Sequence, residues 1–340
     1  MLVFLLALML LAPAASKRAE SFRPGSDYRV PYKLSNDYWH YRRYCRQACT
    51  QERTPVIGDS VVWGHYVAPD ETLSHHLNEI VGSERFANLG LDGTHPAALN
   101  GLVRHYAGGI EGRAVLLHFN PLWMTSKKHD LQTTKEFHFN HPKLVAQFRS
   151  GIPCYRASFS TRLWAAVEQR VPFVSWTSHL RCAYWENMGL PAWTLQHPYA
   201  NPLSPLRAGL PQPKPAVDPV PQQRTDGATR KRDLAWVELA ESLQWRFFRQ
   251  SIEHLTERHC AVFVLVGPFN EHLLSEADVA RYGAIKDGIR TWLASREISH
   301  LIPPVLPAEH YADASHPVAE GYALLAQQLL QDASFNAWAR

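Results

Sequence analysis

Short apolar runs that alternate with segments of helical periodicity constrain the fold of this chain more than any other feature. The runs TPVIGDS, RFANLGLDG and RAVLLHFN read as strands that end in turns, and ETLSHHLNEIVG and PAALNGLVRHYAGG between them read as helices. The apolar strand CAVFVLVGP and the amphipathic helix HPVAEGYALLAQQLL follow near the end of the sequence. Strands that alternate with helices are typical of a parallel sheet covered on both faces, so the sequence predicts an α/β fold.

A large insertion interrupts this alternation after the third strand. Residues 121–232 do not continue the pattern: RLWAAVEQRVPFVSWTS predicts a helix and a strand, and the proline-rich residues 201–232 predict an extended or mobile linker. The main α/β domain is expected to comprise residues 54–120 and 233–340, with the insertion at residues 121–232 as a possible cap over it. After the insertion, the first element of that domain is expected to be a long amphipathic helix with Asp233 as its N-cap. Residues 17–53 have no clean period and are expected as a lead-in across the domain edge.

Composition excludes two broad classes of protein. With 46% hydrophobic and 19% charged residues over 340 positions, the chain has enough apolar material for a globular core and is not disordered throughout. Its formal charge of +4 comes from scattered rather than clustered basic residues. Nucleic acid is therefore not expected as a partner.

The opening segment MLVFLLALMLLAPAAS is an apolar run that ends in small residues and precedes Lys17 and Arg18. Such a run at residues 1–16 is typical of a secretory signal peptide, here with a cleavage site near Ala14 or Ala15. Left uncleaved, it would act as a short membrane anchor. The protein is therefore expected to be exported, whether periplasmic, secreted or anchored, with membrane contact only through this segment.

Five cysteines permit disulfides without specifying them. In an exported protein the expected pairs are Cys45 with Cys49 and Cys154 with Cys182. Cys260 heads an apolar strand and is expected to be a buried thiol. Five reduced cysteines are an equally open alternative, because connectivity cannot be read from sequence.

No metal and no other cofactor is expected. The cysteine spacing fits no four-ligand zinc pattern, and His129, His138 and His141 match no standard ligand spacing, so we interpret these histidines as solvated loop residues. Tryptophans of the insertion predict either its own core or stacking faces for sugars. They are Trp123, Trp164, Trp176, Trp185 and Trp193.

The first chemical signal is Gly58-Asp59-Ser60, at the end of a predicted strand and directly before a helix. In open α/β sheets ligands bind outside the carboxyl ends of the strands, and a serine there has its backbone N–H near a helix N-terminus. The tripeptide alone is equally typical of a residue that only caps a helix. It predicts a nucleophile only together with a base.

The base is predicted by Asp313-Ala314-Ser315-His316-Pro317, close to the end of the sequence. A serine hydroxyl is a poor nucleophile at its ordinary pKa, and histidine is the side chain suited to accept its proton near neutral pH. An aspartate three residues before the histidine can bind one ring nitrogen and leave the other to face the serine. Ser60, His316 and Asp313 are therefore the expected catalytic residues.

Oxyanion stabilisation needs hydrogen-bond donors aimed at the charge that develops on a carbonyl oxygen. The turn after the second strand offers the Gly93 N–H, with Gly90 as the alternative if the turn is offset. The third strand ends at Asn120, whose side-chain amide is a further candidate. Both would join the backbone N–H of Ser60.

The order Gly-Asp-Ser, Asn-x-Gly-x-x-Gly, strand-Asn and late Asp-x-x-His resembles the four blocks of the SGNH (GDSL-type) hydrolase superfamily. The resemblance covers residues 54–120 and 260–330 and implies a flavodoxin-like, three-layer α/β/α sandwich and a metal-free Ser-His-Asp mechanism. It implies the following roles: Ser60 as nucleophile and first oxyanion donor, Gly93 as second, Asn120 as third, and His316 as base with Asp313 behind it. The third block departs from the pattern, since His118 and Pro121 stand where the family usually has glycine and often aspartate.

Other side chains are expected near the substrate. Asp59 and Trp63 flank the nucleophile, although Trp63 is equally typical of core packing. Asn270 and Glu271 follow another strand and are expected to face the same crevice.

The sequence thus predicts a serine esterase that hydrolyses an acyl or acetyl ester, with a small molecule or a carbohydrate ester as substrate. Two alternatives stay open. The same residues would serve an O-acyltransferase that modifies an exported polysaccharide, and the altered third block is compatible with a catalytically silent binding protein on the same fold.

Overall fold

The computed structural model describes residues 2–20, 22–202, 231 and 233–339. Five strands form its sheet: β1 (Thr54–Gly58), β2 (Phe86–Gly90), β3 (Ala114–Phe119), β4 (Ala261–Val266) and β5 (Ser299–Leu301). All neighbours pair in parallel, in the order β2-β1-β3-β4-β5. The first four strands confirm the sequence prediction, whereas the three-residue β5 is too short to show a pattern.

Helices connect the strands and carry the insertion. They are α1 (Leu2–Ala19), α2 (Tyr38–Thr50), α3 (Ser60–Trp63), α4 (Leu73–Val81), α5 (Pro96–Tyr106), α6 (Phe159–Arg170), α7 (Pro172–Tyr184), α8 (Leu190–Gln196), α9 (Leu243–Thr256), α10 (Glu276–Ser295), α11 (Ala319–Gln331) and α12 (Ala333–Ala339). Short 3-10 turns lie at Tyr32–Leu34, Pro69–Glu71, Pro121–Met124, Glu271–Leu273 and Ala308–His310.

Helices cover both faces of the sheet, because successive strand residues point to opposite sides. On one face Leu117 and Val264 pack against α2, α5, α9 and α10. On the other face Val56 and Leu265 pack against α4, α11 and α12. The predicted α/β class with a covered parallel sheet is confirmed.

The lead-in is not an edge segment as predicted, since α2 lies within the largest of the three hydrophobic clusters of the described residues. Tyr41, Tyr44 and Cys45 of α2 are fully buried against the sheet and α5. The arginines of this helix hid its periodicity from the sequence, and one of them, Arg43, is itself buried, where it pairs with Glu20.

Helix α9 begins ten residues later than Asp233, the predicted N-cap, which is therefore wrong. Ser242 caps the helix and accepts the Trp245 N–H at 3.0 Å. The buried carboxylate of Asp130, from the insertion, accepts the Leu243 N–H at 2.8 Å. The first turn is thus fixed by a residue distant in sequence, which helical periodicity cannot reveal.

In its described part the insertion is irregular over residues 125–158 and then forms the helices α6, α7 and α8. The predicted strand within RLWAAVEQRVPFVSWTS is wrong, because Pro172 starts α7 instead and PFVSWTS lies in that helix. The predicted linker at residues 201–232 lies almost entirely outside the described residues.

Helix α1 packs against α7, and Glu20, just after it, lies buried with its Oε1 2.9 Å from His179 Nε2. Across the described residues no helix combines the length and apolar character that crossing a membrane requires. The signal peptide or anchor and the exported location stay predictions.

The five cysteines are all unpaired and buried, so the expected disulfides are wrong. Cys154 lies in the small core of the insertion and Cys182 in the main core beside α2. Cys45 and Cys49 stand one turn apart on α2 and share a hydrogen bond as thiols. The prediction of a buried Cys260 thiol is confirmed.

Candidate active site

The turn between β1 and α3 presents Ser60 at the carboxyl end of the sheet. Ser60 opens α3 and follows Asp59, whose side chain caps the helix by accepting the Val61 N–H at 3.0 Å. Gly90 at the end of β2 lets α3 approach closely, since a Cβ there would lie 2.3 Å from the Trp63 nitrogen. The Ser60 hydroxyl therefore lies where open α/β sheets bind ligands.

Two motifs 256 positions apart meet at this serine. His316 Nε2 lies 2.8 Å from Ser60 Oγ, and His316 Nδ1 lies 2.8 Å from Asp313 Oδ2. Asp313 Oδ1 also accepts the backbone N–H groups of Ser315 and His316, each at 2.9 Å, which fixes the carboxylate. With Nδ1 donating to the carboxylate, Nε2 is left to accept the serine proton. The structure brings the predicted nucleophile, base and acid into one hydrogen-bonded chain.

Burial and charge act in opposite directions on the base and its acid. Burial alone lowers the pKa of His316, but the hydrogen bond and charge of Asp313, then the charges of Asp59 and Asp92, outweigh it and raise the pKa above 6.5. Burial raises the pKa of Asp313, but the hydrogen bond and charge of His316 outweigh it and hold that pKa below its ordinary value. The carboxylate therefore stays ionised and would stabilise an imidazolium on His316.

Two backbone donors are free to hold an oxyanion. Over the described ranges neither the Ser60 N–H nor the Gly93 N–H has a hydrogen-bond partner. Gly93 has φ +71°, a left-handed conformation that favours glycine. Gly90, the alternative, is excluded because its N–H donates to Asn88 Oδ1 at 3.1 Å.

Asn120 lies beside the nucleophile but is committed to other partners. Its side-chain amide donates to Asp59 Oδ2 at 2.8 Å and to Ser315 Oγ at 3.3 Å. Its oxygen accepts the Leu122 N–H at 3.0 Å. Since an amide group has only two N–H bonds, the geometry does not support Asn120 as a third oxyanion donor.

Asp59 binds its own chain rather than a substrate. Its Oδ2 accepts the Asn120 amide and, at 3.0 Å, the Trp123 indole N–H. His118 Nδ1 lies 3.3 Å from Asp59 Oδ1, while His118 Nε2 donates to the Gly267 carbonyl at 2.9 Å. Burial raises the pKa of Asp59, but the hydrogen bond and charge of His118, then the N–H groups of Val61 and Trp123, outweigh it and lower the pKa to about 2. Asp59 is a buried carboxylate that organises the turn around the nucleophile.

Three other residues expected near the substrate have structural contacts instead. Trp63 is 1% exposed, and its indole donates to the Val30 carbonyl at 2.7 Å, so the alternative of core packing is correct. Asn270 holds the loop of the base, because its side chain donates to the Asp313 carbonyl at 3.2 Å. Glu271 pairs with Lys286 at 2.6 Å on the outer side of that loop.

Sequence reasoning missed a second histidine–carboxylate pair at the site. His65 Nδ1 lies 2.5 Å from Asp92 Oδ1, and the ring centroids of His65 and His316 are 5.4 Å apart. Tyr66 packs edge-on against both rings. His65 is five residues after the nucleophile and Asp92 directly precedes Gly93, so proximity to the motifs was the available signal.

The lead-in also contributes to the site, which the sequence did not indicate. Arg29 Nη1 donates to the carbonyls of Trp63 at 2.9 Å and Gly64 at 2.5 Å, and Nη2 donates to the Val67 carbonyl at 3.0 Å. A cation on these carbonyls stabilises the C-terminal end of α3. Arg29 therefore helps to fix the helix that carries Ser60.

The insertion forms a groove of about 770 Å³, and the residues that line it all belong to the insertion. Asn140 follows Phe139, which lines this groove, and it lies against Gly93, since a Cβ on Gly93 would lie 2.4 Å from Asn140 Nδ2. The groove is lined by aromatic rings, two of them half-buried, one buried and one exposed: Phe137, Phe139, Tyr155 and Trp164. Of the insertion tryptophans, Trp164 thus offers an open face, Trp123 binds Asp59, and Trp193 is buried.

His141 is not the solvated histidine that we predicted, although His129 and His138 are exposed. His141 is buried, its Nε2 donates to the Asp92 carbonyl at 2.7 Å, and its Nδ1 lies 3.0 Å from the Tyr38 hydroxyl. Burial lowers the pKa of His141, which favours the neutral ring. This histidine ties the insertion to the turn that carries Gly93.

Within the described chain, one group of side chains has the geometry for a metal ion: His75, His76 and Glu79 on α4, with ligand atoms within 4.8 Å of one another. His75 already has a partner, because its Nδ1 lies 2.8 Å from Asp27 Oδ1.

No protein-family model matches the chain, and no curated protein matches it.

Proposed function

We propose that the protein is a serine hydrolase that cleaves a carboxylic ester through an acyl-enzyme on Ser60. The observation that carries the proposal is the hydrogen-bonded chain from Ser60 Oγ through His316 to Asp313, with 2.8 Å at each of its two links. An activated nucleophile with an oriented base next to it is what acyl transfer requires.

In the first half of the reaction Ser60 Oγ attacks the ester carbonyl carbon while His316 Nε2 takes the hydroxyl proton. The negative charge that develops on the carbonyl oxygen is held by the N–H groups of Ser60 and Gly93, both free to donate. Collapse of this intermediate breaks the bond to the alcohol, which leaves with the proton that His316 took. Water then attacks the acyl group and gives up a proton, and Ser60 takes a proton from His316 as its bond to the acyl carbon breaks.

We propose further that the fold is of the SGNH type. The strand order 2-1-3-4-5 is that of flavodoxin-like sheets, and the crevice at the carboxyl ends of their strands is where ligands bind. All four sequence blocks with the SGNH spacing lie at that edge of the sheet. The free N–H groups of Ser60 and Gly93 support two of the three oxyanion donors implied by that resemblance, whereas the engaged amide of Asn120 does not support the third.

The test compares the full-length wild type with Ser60→Ala in two assays. One is hydrolysis of p-nitrophenyl acetate and butyrate, and the other is labelling by a serine-directed fluorophosphonate. We expect turnover and labelling in the wild type, and loss of both in Ser60→Ala. Ser251→Ala is a matched control, because Ser251 is a fully buried helical serine on α9 that donates to its own helix. An unlabelled wild type without turnover would refute the proposal and favour a silent binding protein.

A second candidate is acyl transfer to a carbohydrate hydroxyl. It is favoured by the aromatic groove of the insertion, which offers ring faces and the hydroxyls of Ser158, Ser160 and Thr161. Asn140, next in the chain to the groove residue Phe139, lies against Gly93. The two functions differ only in what removes the acyl group. Faster release of p-nitrophenol when an oligosaccharide is added would favour transfer, and an unchanged rate would favour hydrolysis. An exported location fits a polysaccharide acceptor, and fractionation of cells expressing the full chain tests it.

A further inference from the structure

The candidate site contains two histidine–carboxylate pairs, and the proposed mechanism uses only one of them. His65 Nδ1 lies 2.5 Å from Asp92 Oδ1, which repeats the arrangement of His316 on Asp313. The two imidazole rings are 5.4 Å apart and tilted by 38°. A second oriented imidazole at this distance from the base needs an explanation.

Backbone geometry holds this second pair beside the atoms that react. Helix α3 ends at Gly64, whose φ of +86° turns the chain so that the His65 N–H donates to the Ser60 carbonyl at 3.1 Å. Asp92 directly precedes Gly93, and its own carbonyl is fixed by His141. The two partners are therefore carried by the same short segments as the two oxyanion donors.

The ring of His65 is oriented for proton transfer and open to an incoming molecule. Because Nδ1 donates to the Asp92 carboxylate, Nε2 carries the lone pair of the neutral ring. The His65 side chain is 25% exposed, against 10% for His316. His316 Nε2 already faces Ser60 Oγ, whereas in the described chain His65 Nε2 has no hydrogen-bond partner.

We propose that His65, held by Asp92, accepts the proton of the hydroxyl that attacks the acyl-enzyme, whether water or an acceptor alcohol. This proposal rests on the proposed function. The oxygen of the incoming hydroxyl bonds to the acyl carbon while its proton passes to His65 Nε2. His316 regains a proton from solvent after the alcohol has left, and it passes this proton to Ser60 Oγ as the bond between the acyl carbon and Ser60 Oγ breaks. His65 then releases its proton to solvent.

The division of labour follows from the partners of the two rings, because His316 Nε2 faces Ser60 Oγ and, among the described residues, His65 Nε2 faces no bonded partner. His316 serves Ser60 Oγ in both halves of the reaction, and His65 serves the second substrate. A hydroxyl of high pKa, as in water or a sugar, is the kind of nucleophile that needs a base. The site therefore fits an aliphatic hydroxyl or water on the alcohol side.

The experiment is a rapid-mixing measurement with p-nitrophenyl butyrate on the full-length wild type and His65→Ala. We expect a burst of p-nitrophenol close to one equivalent in His65→Ala, followed by a steady rate at least about 100-fold below wild type, the usual contribution of a general base. Intact mass should show one butyryl group on Ser60. Added imidazole should speed the steady phase, which a purely structural role of His65 would not permit.

His75→Ala is the matched control, since His75 Nδ1 binds Asp27 at 2.8 Å and its side chain is 26% exposed, but it lies on α4. It should match the wild type in burst and steady rate. If the burst and steady rates of His65→Ala fall together, with no acyl-enzyme and no response to imidazole, the assignment of His65 is wrong while the esterase proposal stands. A wild type without turnover or fluorophosphonate labelling overturns both.

Discussion

Replacing Asp59 by asparagine should destabilise the protein by about 3–5 kcal/mol, the range for removing one charge from a buried ionic network. The ordinary pKa of the carboxyl is 3.8 and the folded protein lowers it to about 2, which corresponds to about 2.4 kcal/mol in favour of the ionised form. Asn offers one acceptor oxygen where Asp offers two. One pair of donors, such as Asn120 and Trp123 on Oδ2, would then face an N–H group.

The sign of the pH dependence makes the prediction specific. A carboxyl with a lowered pKa stabilises the fold fully above 3.8, and this stabilisation is lost as the pH falls through 3.8 towards 2. The asparagine variant has no such group, so the difference in unfolding free energy between Asp59→Asn and wild type should shrink over that window.

Urea unfolding of both proteins at pH 7, 4 and 3 measures this difference. Asp287→Asn is the matched control, because its carboxylate is 73% exposed on α10 and its pair with Arg290 is on the surface. The control should change the unfolding free energy by less than about 0.5 kcal/mol. A loss below about 1 kcal/mol in Asp59→Asn, or a gap that does not depend on pH, would refute the reasoning.

Three further predictions concern the site and the thiols. The kcat/KM for p-nitrophenyl butyrate should rise with pH through a midpoint above 6.5, because His316 must be neutral and its pKa is raised; Asp313→Asn should move that midpoint down and lower kcat by about 10³–10⁴. Gly93→Ala should lower kcat at least about tenfold, because φ is +71° and the new Cβ would meet Asn140 at 2.4 Å, and Asn140→Gly should restore part of the rate if that clash is the cause. Titration of the denatured, unreduced protein with a thiol reagent should find five free thiols, and fewer would contradict the unpaired state.

The sequence predicted the features that depend on local pattern. Apolar runs located β1 to β4, and the two motifs around Ser60 and His316 identified side chains that the structure joins at 2.8 Å. Both signals are local because a strand needs a few consecutive apolar residues, and a nucleophile or a base needs a fixed turn. Helix α2 was not predicted from its hydrophobic pattern, because some of its polar residues are buried as well. Arg43, for example, is buried and pairs with Glu20.

Features that depend on long-range contacts could not be predicted. The role of Asp59 is set by Asn120 and Trp123, more than sixty positions away. The start of α9 is set by Asp130 in the insertion, and the anchoring of the insertion by His141 on Asp92. A polar residue at the end of a strand could bind many different hydrogen-bond partners. Which of them it binds depends on the tertiary structure.

His118, which stands where the SGNH pattern usually has glycine, shows how one such long-range contact changes the site. His118 stands on β3 beside Gly58 of β1, where a Cβ on Gly58 would lie 2.8 Å from the His118 Cβ. The missing side chain at Gly58 therefore makes room for the larger one at His118. That ring then spans from the Gly267 carbonyl to the Asp59 carboxylate, joining β4 to the nucleophile turn. SGNH sequences, which this chain resembles, usually have glycine at this position, whereas here a buried histidine lies between the end of β4 and Asp59. Asp59 also accepts the Asn120 amide, so the amide proposed as an oxyanion donor is already engaged.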